Sequence, residues 1–211
     1  MISLLLATRN PGKKLEIQNL LQDVQPPLRL VSLSEAEIHA DLDECGTTFM
    51  ENARLKADFY SRLSGLDTLG DDSGLEVMAL ENRPGVHSAR YAGTGASDDE
   101  RIAKLLAEMA HCQDRRARFV TAVCLSRGGR TLKSFSGLVR GEILHEKEGK
   151  HGFGYDPLFY YPPLKKTFAE LTLEEKNRVS HRARALAQVK KFIASGGLER
   201  AAADKQNPAD R

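Results

Sequence analysis

The sequence has few cysteines and no large excess of charge of either sign. Its three cysteines, Cys45, Cys112 and Cys124, show no C-x-x-C spacing, which argues against a disulfide framework and against a zinc site. Thirty-one lysines and arginines stand against 29 aspartates and glutamates, so the formal charge of +2 does not indicate a nucleic-acid polymer as partner. We interpret the cysteines as reduced, cytosolic residues and expect a cytoplasmic protein that could still carry a local basic pocket for a small anion.

Long apolar runs are also missing. The first residues, MISLLLATRNPGKK, contain only about half a dozen apolar residues in a row with no positively charged segment before them, so they predict neither a signal peptide nor a membrane span. We therefore expect no membrane partner. The run at residues 2–7 is typical of a strand covered on both faces. With 211 residues, of which 41% are hydrophobic and 28% charged, the composition indicates a globular protein with a substantial core.

Strand and helix patterns alternate along the chain. After the first strand, Asn10 is a good helix N-cap, and Pro11 follows it at the first helical position. The pair Gly128-Gly129 predicts a hairpin that joins strands at residues 119–125 and 132–139. This alternation indicates an α/β domain, which we place at residues 1–195, with residues 196–211 as a mobile tail that has little to bury. Further helix starts are predicted at Thr48, Ser97, Thr172 and Ser180.

The turn after the first strand carries groups that suit a phosphate. A hydroxyl, an amide, a glycine and a cation lie at the N-terminal end of a helix, where free backbone N–H groups and the helix dipole favour an anion. The segment lacks the spacing of a P-loop, and a capped turn with a solvated lysine explains it equally well. The residues concerned are Thr8, Arg9, Asn10, Pro11, Gly12 and Lys13.

Two adjacent aspartates occur in LGDDSGL, between strand candidates at residues 68–69 and 75–80. Aspartate, serine and glycine prefer turns, so we predict a turn here. Neighbouring side chains in an extended segment point to opposite faces, so one of Asp71 and Asp72 would face a cleft while the other stabilises the turn or reaches a metal through water. Such oxygen ligands suit Mg²⁺. Further acidic candidates upstream are Asp41, Asp43 and Glu44.

A loop punctuated by glycine and proline is predicted at residues 147–167, and long ordered loops often carry function. Within it, HGFGYDPLF combines aromatic rings that can stack on a planar base with an acid that can bind a polar edge. A packed glycine turn is the ordinary alternative. Anion contacts are also available near the start of a later helix, from Lys176, His181 and Arg182.

The order of these motifs is more specific than any one of them. TRNPGK, ECGTTFMENARLKA, GDDSGL, RPGVHSARYAG, FGYDPLF and EEKNRVSHRARAL follow one another between about residues 5 and 186, and this series resembles the inosine triphosphate pyrophosphatase family. The resemblance implies an elongated mixed β-sheet with flanking helices that form two lobes around a central nucleotide-binding cleft, and a homodimer. It also implies Mg²⁺-dependent hydrolysis of ITP, dITP and XTP to the monophosphate and pyrophosphate, which removes deaminated purines from the nucleotide pool.

The resemblance further implies roles for individual residues. Asp72 would be the general base and a metal ligand, and Ser73 would contact the substrate. A second acidic ligand would lie just before Gly46, where Asp43 and Glu44 compete for the role. Residues 8–13 would hold the phosphates. The nucleotide would contact Phe153, Gly154, Tyr155, Asp156, Lys176, His181 and Arg182.

Two alternatives to this function stay open at the level of sequence. One is a Mg²⁺-dependent nucleotide phosphatase that releases orthophosphate, and the other is a nucleotide-binding regulator without catalysis. A covalent mechanism is disfavoured, because none of the cysteines or serines lies in a recognisable nucleophile motif with a paired base.

Overall fold

The computed structural model describes residues 2–203 and contains one sheet with helices on both of its faces. The strands are β1 (Ile2–Ala7), β2 (Leu28–Ser32), β3 (Asp67–Val77), β4 (Arg116–Arg127), β5 (Arg130–Ile143), β6 (Phe159–Tyr161) and β7 (Lys166–Thr167). They lie side by side in the order β2-β1-β3-β4-β5-β6-β7. The pairs β1–β2 and β1–β3 are parallel and the remaining pairs are antiparallel, so the sheet is mixed.

The first five of the six α-helices between residues 2 and 203 begin where the sequence predicts them, and the sixth was not predicted. In chain order they are α1 (Pro11–Leu21), α2 (Phe49–Ser64), α3 (Asp98–Glu108), α4 (Leu173–Val179), α5 (His181–Ala194) and α6 (Gly197–Ala203). The side chains of Thr48, Ser97 and Thr172 form complete capping boxes, and those of Asn10 and Ser180 accept a hydrogen bond from the first turn of α1 and α5. Between residues 2 and 203, no helix is both long enough and apolar enough to cross a bilayer.

The stretch LGDDSGL is not a turn. Residues 67–77 form one continuous strand, in which Asp71 pairs with Val123 and Asp72 with Ala122 of β4. Residues 68–69 and 75–77 of the two strand candidates are therefore parts of β3, and the predicted strand at residues 78–80 is instead a 3-10 helix, Met78–Leu80. The local preference of these residues for turns is overridden because β4 pairs with the segment along its whole length.

The two largest of four hydrophobic clusters in the described part of the chain lie at opposite ends of the long strands β3, β4 and β5. One core contains Leu75 of β3, Leu105 of α3 and Phe159 of β6; we call this end the α3 lobe. The other contains Leu69 of β3 and packs against α1 and α5 through residues such as Val189; we call it the α5 lobe. The predicted architecture of two lobes on one mixed sheet is thus confirmed.

Residues 197–203 differ from the predicted mobile tail. They form helix α6, and Leu198 is 1% exposed in the core of the α5 lobe. The expectation that the chain has little to bury after Gly196 is therefore wrong for this segment, because Leu198 packs into that core. The rest of the predicted tail, residues 204–211, lies outside the described residues.

Candidate functional site

A cavity of about 500 Å³ opens between the two lobes, a volume within the usual range of small-molecule sites. Its walls come from the turn between β1 and α1, the middle of β3, the 3-10 helix Gly85–Arg90, the loop at residues 153–156, α4 and the start of α5. The segment before α2, α2 itself and the first turn of α3 also contribute side chains. Every residue predicted to bind substrate lies on these walls. They are Thr8, Arg9, Asn10, Pro11, Gly12, Lys13, Ser73, Phe153, Gly154, Tyr155, Asp156, Lys176, His181 and Arg182, together with Asp72.

The alternation of β3 separates the two aspartates. Asp72 contacts Asn52 and Lys56 of α2, whereas Asp71 contacts Lys13 and Arg182, which belong to α1 and α5. The prediction that neighbouring carboxylates point to opposite faces is confirmed, although in a strand and not in a turn.

Helix α2 approaches β3 closely on the face that carries Asp72. A Cβ atom on Gly70 would lie 2.3 Å from the carbonyl oxygen of Ala53 and 2.8 Å from the backbone nitrogen of Ala57. The glycine therefore allows helix and strand to touch. This contact brings the α2 side chains within reach of Asp72.

Asp72 is a buried carboxylate held by a buried lysine. Its Oδ1 lies 2.9 Å from Lys56 Nζ, and its Oδ2 accepts a longer hydrogen bond of 3.4 Å from Asn52. Lys56 Nζ also lies 3.1 Å from Glu44 Oε1, so two carboxylates converge on one cation. Burial raises the pKa of Asp72 despite the opposing charges of Lys56 and Lys13, and Glu44 adds to the increase. This environment is typical of a carboxylate that exchanges a proton.

Asp71 is a buried anion with its partners already in place. Lys13 Nζ lies 2.8 Å from Oδ1, Thr121 donates a hydrogen bond of 2.7 Å to Oδ2, and Arg182 Nε lies 3.4 Å from Oδ2. Burial alone would raise the pKa of Asp71, but the cations of Lys13 and Arg182 outweigh it and hold the pKa well below its ordinary value. The side chain of Lys13 is only 15% exposed, so the interpretation of a solvated lysine is wrong.

A network of buried charges connects Asp71 to the loop at residues 153–156. Glu16 of α1 pairs with Arg182 and lies 2.7 Å from Lys176, and Lys176 in turn pairs with Asp156. Burial would raise the pKa of Glu16, yet the cations of Arg182 and Lys176 lower it. The network fixes α1, α4, α5 and the loop at residues 153–156 relative to one another. Arg182 also donates a hydrogen bond of 2.8 Å to the Ser73 hydroxyl.

Two aromatic groups complete the part of the site near residues 153–156. The ring of Phe153 lies 4.9 Å from Lys176 Nζ, and a Cβ atom on Gly12 would come within 2.4 Å of the same ring. His181 stacks on Phe119 with ring centroids 4.8 Å apart. Burial and the neighbouring cations hold the pKa of His181 far below its ordinary value, so its imidazole is neutral, and its Nδ1 has no hydrogen-bond partner among the described residues.

The acidic candidates upstream separate in the structure. Glu44 lines the cavity and Asp43 does not. The carboxylate of Asp41 lies 2.9 Å from Arg9 Nε in an exposed ion pair. In the described part of the chain, no three histidine, cysteine, aspartate or glutamate side chains cluster closely enough to hold a metal ion by themselves. Of the carboxylates on the cavity wall, Glu44 and Asp72 are therefore the two that share one cation, Lys56. The others, Asp41, Asp98 and Asp156, pair with different cations.

Several residues of the site were not predicted. Lys56 follows Asn52 by four positions in α2, so helical spacing places both on one face with Ala53 nearby, and this signal was available in the sequence. Glu16 offers no such signal, because an acid in an amphipathic helix is normally solvent-exposed. Its burial is evident only in the folded structure, where Arg182 of α5 pairs with it.

Comparisons with known proteins agree with the fold and the motifs. The Ham1 family model matches residues 4–192. A protein of Desulfotalea psychrophila named dITP/XTP pyrophosphatase is 47% identical over 187 residues, covering 89% of this chain and 83% of that one. A Staphylococcus epidermidis protein of the same name is 42% identical over 193 residues, covering 92% of this chain and 97% of that one.

Solved structures give the same result. A HAM1 protein from Coxiella burnetii superimposes with a TM-score of 0.84 at 40% identity, covering 92% of this chain and all of that one. A nucleoside-triphosphatase / dITP/XTP pyrophosphatase from Mycobacterium abscessus gives a TM-score of 0.71 at 39% identity, covering 89% and 98%. The resemblance drawn from the order of the motifs is confirmed, and the chain belongs to the Ham1 family.

Proposed function

We propose that this protein hydrolyses the nonstandard purine nucleoside triphosphates ITP, dITP and XTP to the monophosphate and pyrophosphate, and so removes deaminated purines from the nucleotide pool. The observation that carries the proposal is the convergence of the buried carboxylate Asp72 with Lys13 and Lys56 in one cavity between the lobes. The relatives named dITP/XTP pyrophosphatase support it, since they match this chain over nearly its whole length.

The phosphate end of the cavity provides positive charge and a base. The N-terminus of α1 and the side chain of Lys13 would hold the triphosphate. A water molecule attacks the α-phosphorus, the bond from that phosphorus to the bridging oxygen breaks, and pyrophosphate leaves. Asp72 takes a proton from the attacking water, a role that its raised pKa favours. Lys56, fixed between Asp72 and Glu44, keeps the carboxylate oriented.

We further propose Mg²⁺ as the cofactor, held by Asp72 and Glu44. The two carboxylates already converge on one cation, and Mg²⁺ usually takes only one or two carboxylates and fills its remaining positions with water and substrate phosphates. When bound, Mg²⁺ would neutralise charge on the polyanion. Asp43 lies off the cavity wall and is not proposed as a ligand.

The metal proposal is tested by calorimetric titration of Mg²⁺ in the presence of imidodiphosphate, a pyrophosphate analogue. Glu44→Gln should weaken Mg²⁺ binding and Asp43→Asn should leave it unchanged. Chelation should abolish hydrolysis, and added Mg²⁺ should restore it. Equal loss of binding in both variants would contradict the choice of Glu44.

At the nucleotide end, Phe153, Gly154, Tyr155 and Asp156 would contact the substrate together with Lys176, and His181 and Arg182 would help select the base. Hypoxanthine and xanthine carry a 6-oxo group where adenine carries an amino donor. A buried site that binds the oxo form leaves a polar group unpaired when adenine enters, and this penalty discriminates against ATP.

Identification of the products tests the function. With ITP and Mg²⁺ we expect IMP and pyrophosphate. IDP with orthophosphate would instead indicate a phosphatase, and tight binding of ITP without turnover would indicate a regulator. Asp72→Asn should lower kcat by about 100-fold or more. Asp67→Asn is the matched control, because Asp67 lies on the same strand but pairs with Arg127 away from the cavity.

Two further proposals concern the state of the protein in the cell. We propose a homodimer, following the family resemblance, and light scattering during size-exclusion chromatography should give twice the mass of one chain. We propose a cytoplasmic location because Cys45, Cys112 and Cys124 are all free of disulfides. Recovery in the membrane or secreted fraction would contradict the second of these proposals.

A further inference from the structure

The loop that would contact the nucleotide is held from outside by the first turn of α3. Asp98 Oδ2 accepts a hydrogen bond of 2.7 Å from the backbone N–H of Gly154. Gly154 has a φ of +62°, a conformation that costs glycine little. The carboxylate therefore fixes the backbone of the loop at the residue with the greatest freedom to change conformation. Both residues lie on the wall of the cavity.

Arg101 holds this carboxylate in place and extends the connection to a second wall. Its guanidinium forms an ion pair with Asp98 through Nη2 and donates a hydrogen bond of 2.6 Å to the carbonyl oxygen of Ala89 through Nη1. Ala89 belongs to the 3-10 helix Gly85–Arg90. One arginine and one aspartate thus connect that helix to the nucleotide loop.

The loop and the 3-10 helix are also joined directly, because Tyr155 donates a hydrogen bond of 3.0 Å to the carbonyl oxygen of Ser88. The neighbouring acid, Asp99, provides a contrast. It forms an ion pair of 2.8 Å with Lys147, but its side chain is 77% exposed and it does not line the cavity. Exposed ion pairs of this kind contribute little to the stability of the fold.

We propose that Asp98 is a positioning residue for nucleotide recognition, acting through the backbone of Gly154 and oriented by Arg101. The inference rests on the proposed function. Asp98 contacts the loop of the nucleotide end and has no contact with Lys13, Lys56 or Asp72. It sets how well the nucleoside part of the substrate is bound and leaves the binding of the phosphates unaffected.

Steady-state kinetics with ITP, with inorganic tripolyphosphate as competitor, tests this separation. Loss of one hydrogen bond to a charged acceptor corresponds to about a tenfold weakening, so Asp98→Ala should raise KM for ITP by about tenfold while kcat changes less. The inhibition constant of tripolyphosphate should stay unchanged. Asp98→Asn retains an oxygen acceptor for Gly154 and should recover most of the affinity, and Asp99→Ala should behave as wild type.

Hydrogen–deuterium exchange of the unliganded protein supplies a readout without catalysis. Amide exchange at Gly154 should speed up in Asp98→Ala by about tenfold and stay at the wild-type rate in Asp99→Ala. Wild-type KM in Asp98→Ala, an equal rise in KM and in the tripolyphosphate constant, or unchanged exchange at Gly154 would each overturn the inference. If wild-type protein fails to form IMP and pyrophosphate, the proposed function fails instead, and the exchange rates still decide whether Asp98 holds the loop.

Discussion

Lys13 illustrates how a single residue combines a structural and a functional role. Its ammonium group lies on the cavity wall and also pairs with the buried carboxylate of Asp71. Lys13→Ala should raise KM for ITP and the inhibition constant of tripolyphosphate together, since both ligands lose the same cation. It should also lower the free energy of unfolding by about 1–3 kcal/mol, because Asp71 loses a partner.

Kinetics and urea unfolding of the same variant measure the two effects. Lys14→Ala is the control, since Lys14 is a neighbouring lysine that does not line the cavity, and it should change neither quantity. Unchanged KM and kcat in Lys13→Ala would contradict the phosphate-binding role.

Glu16 lies at the centre of the buried charge network and contacts both Arg182 and Lys176. Replacing one member of a buried ion pair costs about 3–5 kcal/mol, and Glu16→Gln should come near the lower end because the amide still accepts a hydrogen bond. The exposed pair of Glu174 with Arg178 provides the control, and Glu174→Gln should change the free energy of unfolding by less than about 1 kcal/mol.

The pH dependence of this difference follows from the lowered pKa of Glu16. A carboxylate with a lowered folded-state pKa stabilises the protein above its ordinary pKa, here 4.5, and this stabilisation is lost as pH falls through the lower folded-state pKa. The gap in stability between wild type and Glu16→Gln should therefore be constant above about pH 6 and shrink below about pH 4. Urea unfolding at a series of pH values measures it, and a gap that widens in acid would be inconsistent with the network.

At the scale of elements, the contact between α2 and β3 decides where Lys56 and Asn52 lie. Gly70→Ala places a methyl group against the backbone of α2, so the helix must move. The free energy of unfolding should fall by about 3 kcal/mol or more, and kcat should fall with it because Lys56 is carried away from Asp72.

The control for this prediction is Gly65→Ala. A Cβ atom at Gly65, which ends α2, meets nothing within 4 Å, so this variant costs about 1 kcal/mol for its left-handed backbone alone and should retain kcat. Thermal unfolding and ITP turnover of both variants provide the measurements. Normal turnover in Gly70→Ala would show that the position of α2 does not affect the chemistry.

Elements with local signals were predictable, and those that depend on distant pairing were not. Thr48 and Ser97 show their capping boxes within four residues, and Gly128-Gly129 identifies the hairpin of β4 and β5, so these features follow from neighbouring residues alone. The strand character of LGDDSGL depends on β4, some fifty residues later. Likewise, the motif order predicted residues that line one cavity, but the burial of Glu16 depends on a partner 166 positions away.

At the scale of the whole molecule, β3, β4 and β5 belong to both cores. Neither lobe therefore keeps its core if these strands separate, and we expect one cooperative unfolding transition with calorimetric and van't Hoff enthalpies equal. Leu69→Ala in the α5 lobe and Leu75→Ala in the α3 lobe should each shift that same transition to lower temperature, by the equivalent of about 2–5 kcal/mol.

Differential scanning calorimetry of the two variants tests this coupling. Leu69 and Leu75 lie on the same strand and both are nearly or completely buried, so each serves as the control for the other. Two separate peaks, with each variant shifting only one of them, would contradict a shared core structure.

The alternation of β3 also limits how this sequence can change in evolution. Asp71 serves the buried ion network and Asp72 faces Lys56, and this division depends only on whether a position is odd or even along the strand. An insertion or deletion of one residue within β3 would move every later side chain to the opposite face. Length changes are therefore compatible with the site in the loops outside the strand, while within residues 67–77 the insertion or deletion of a single residue is not.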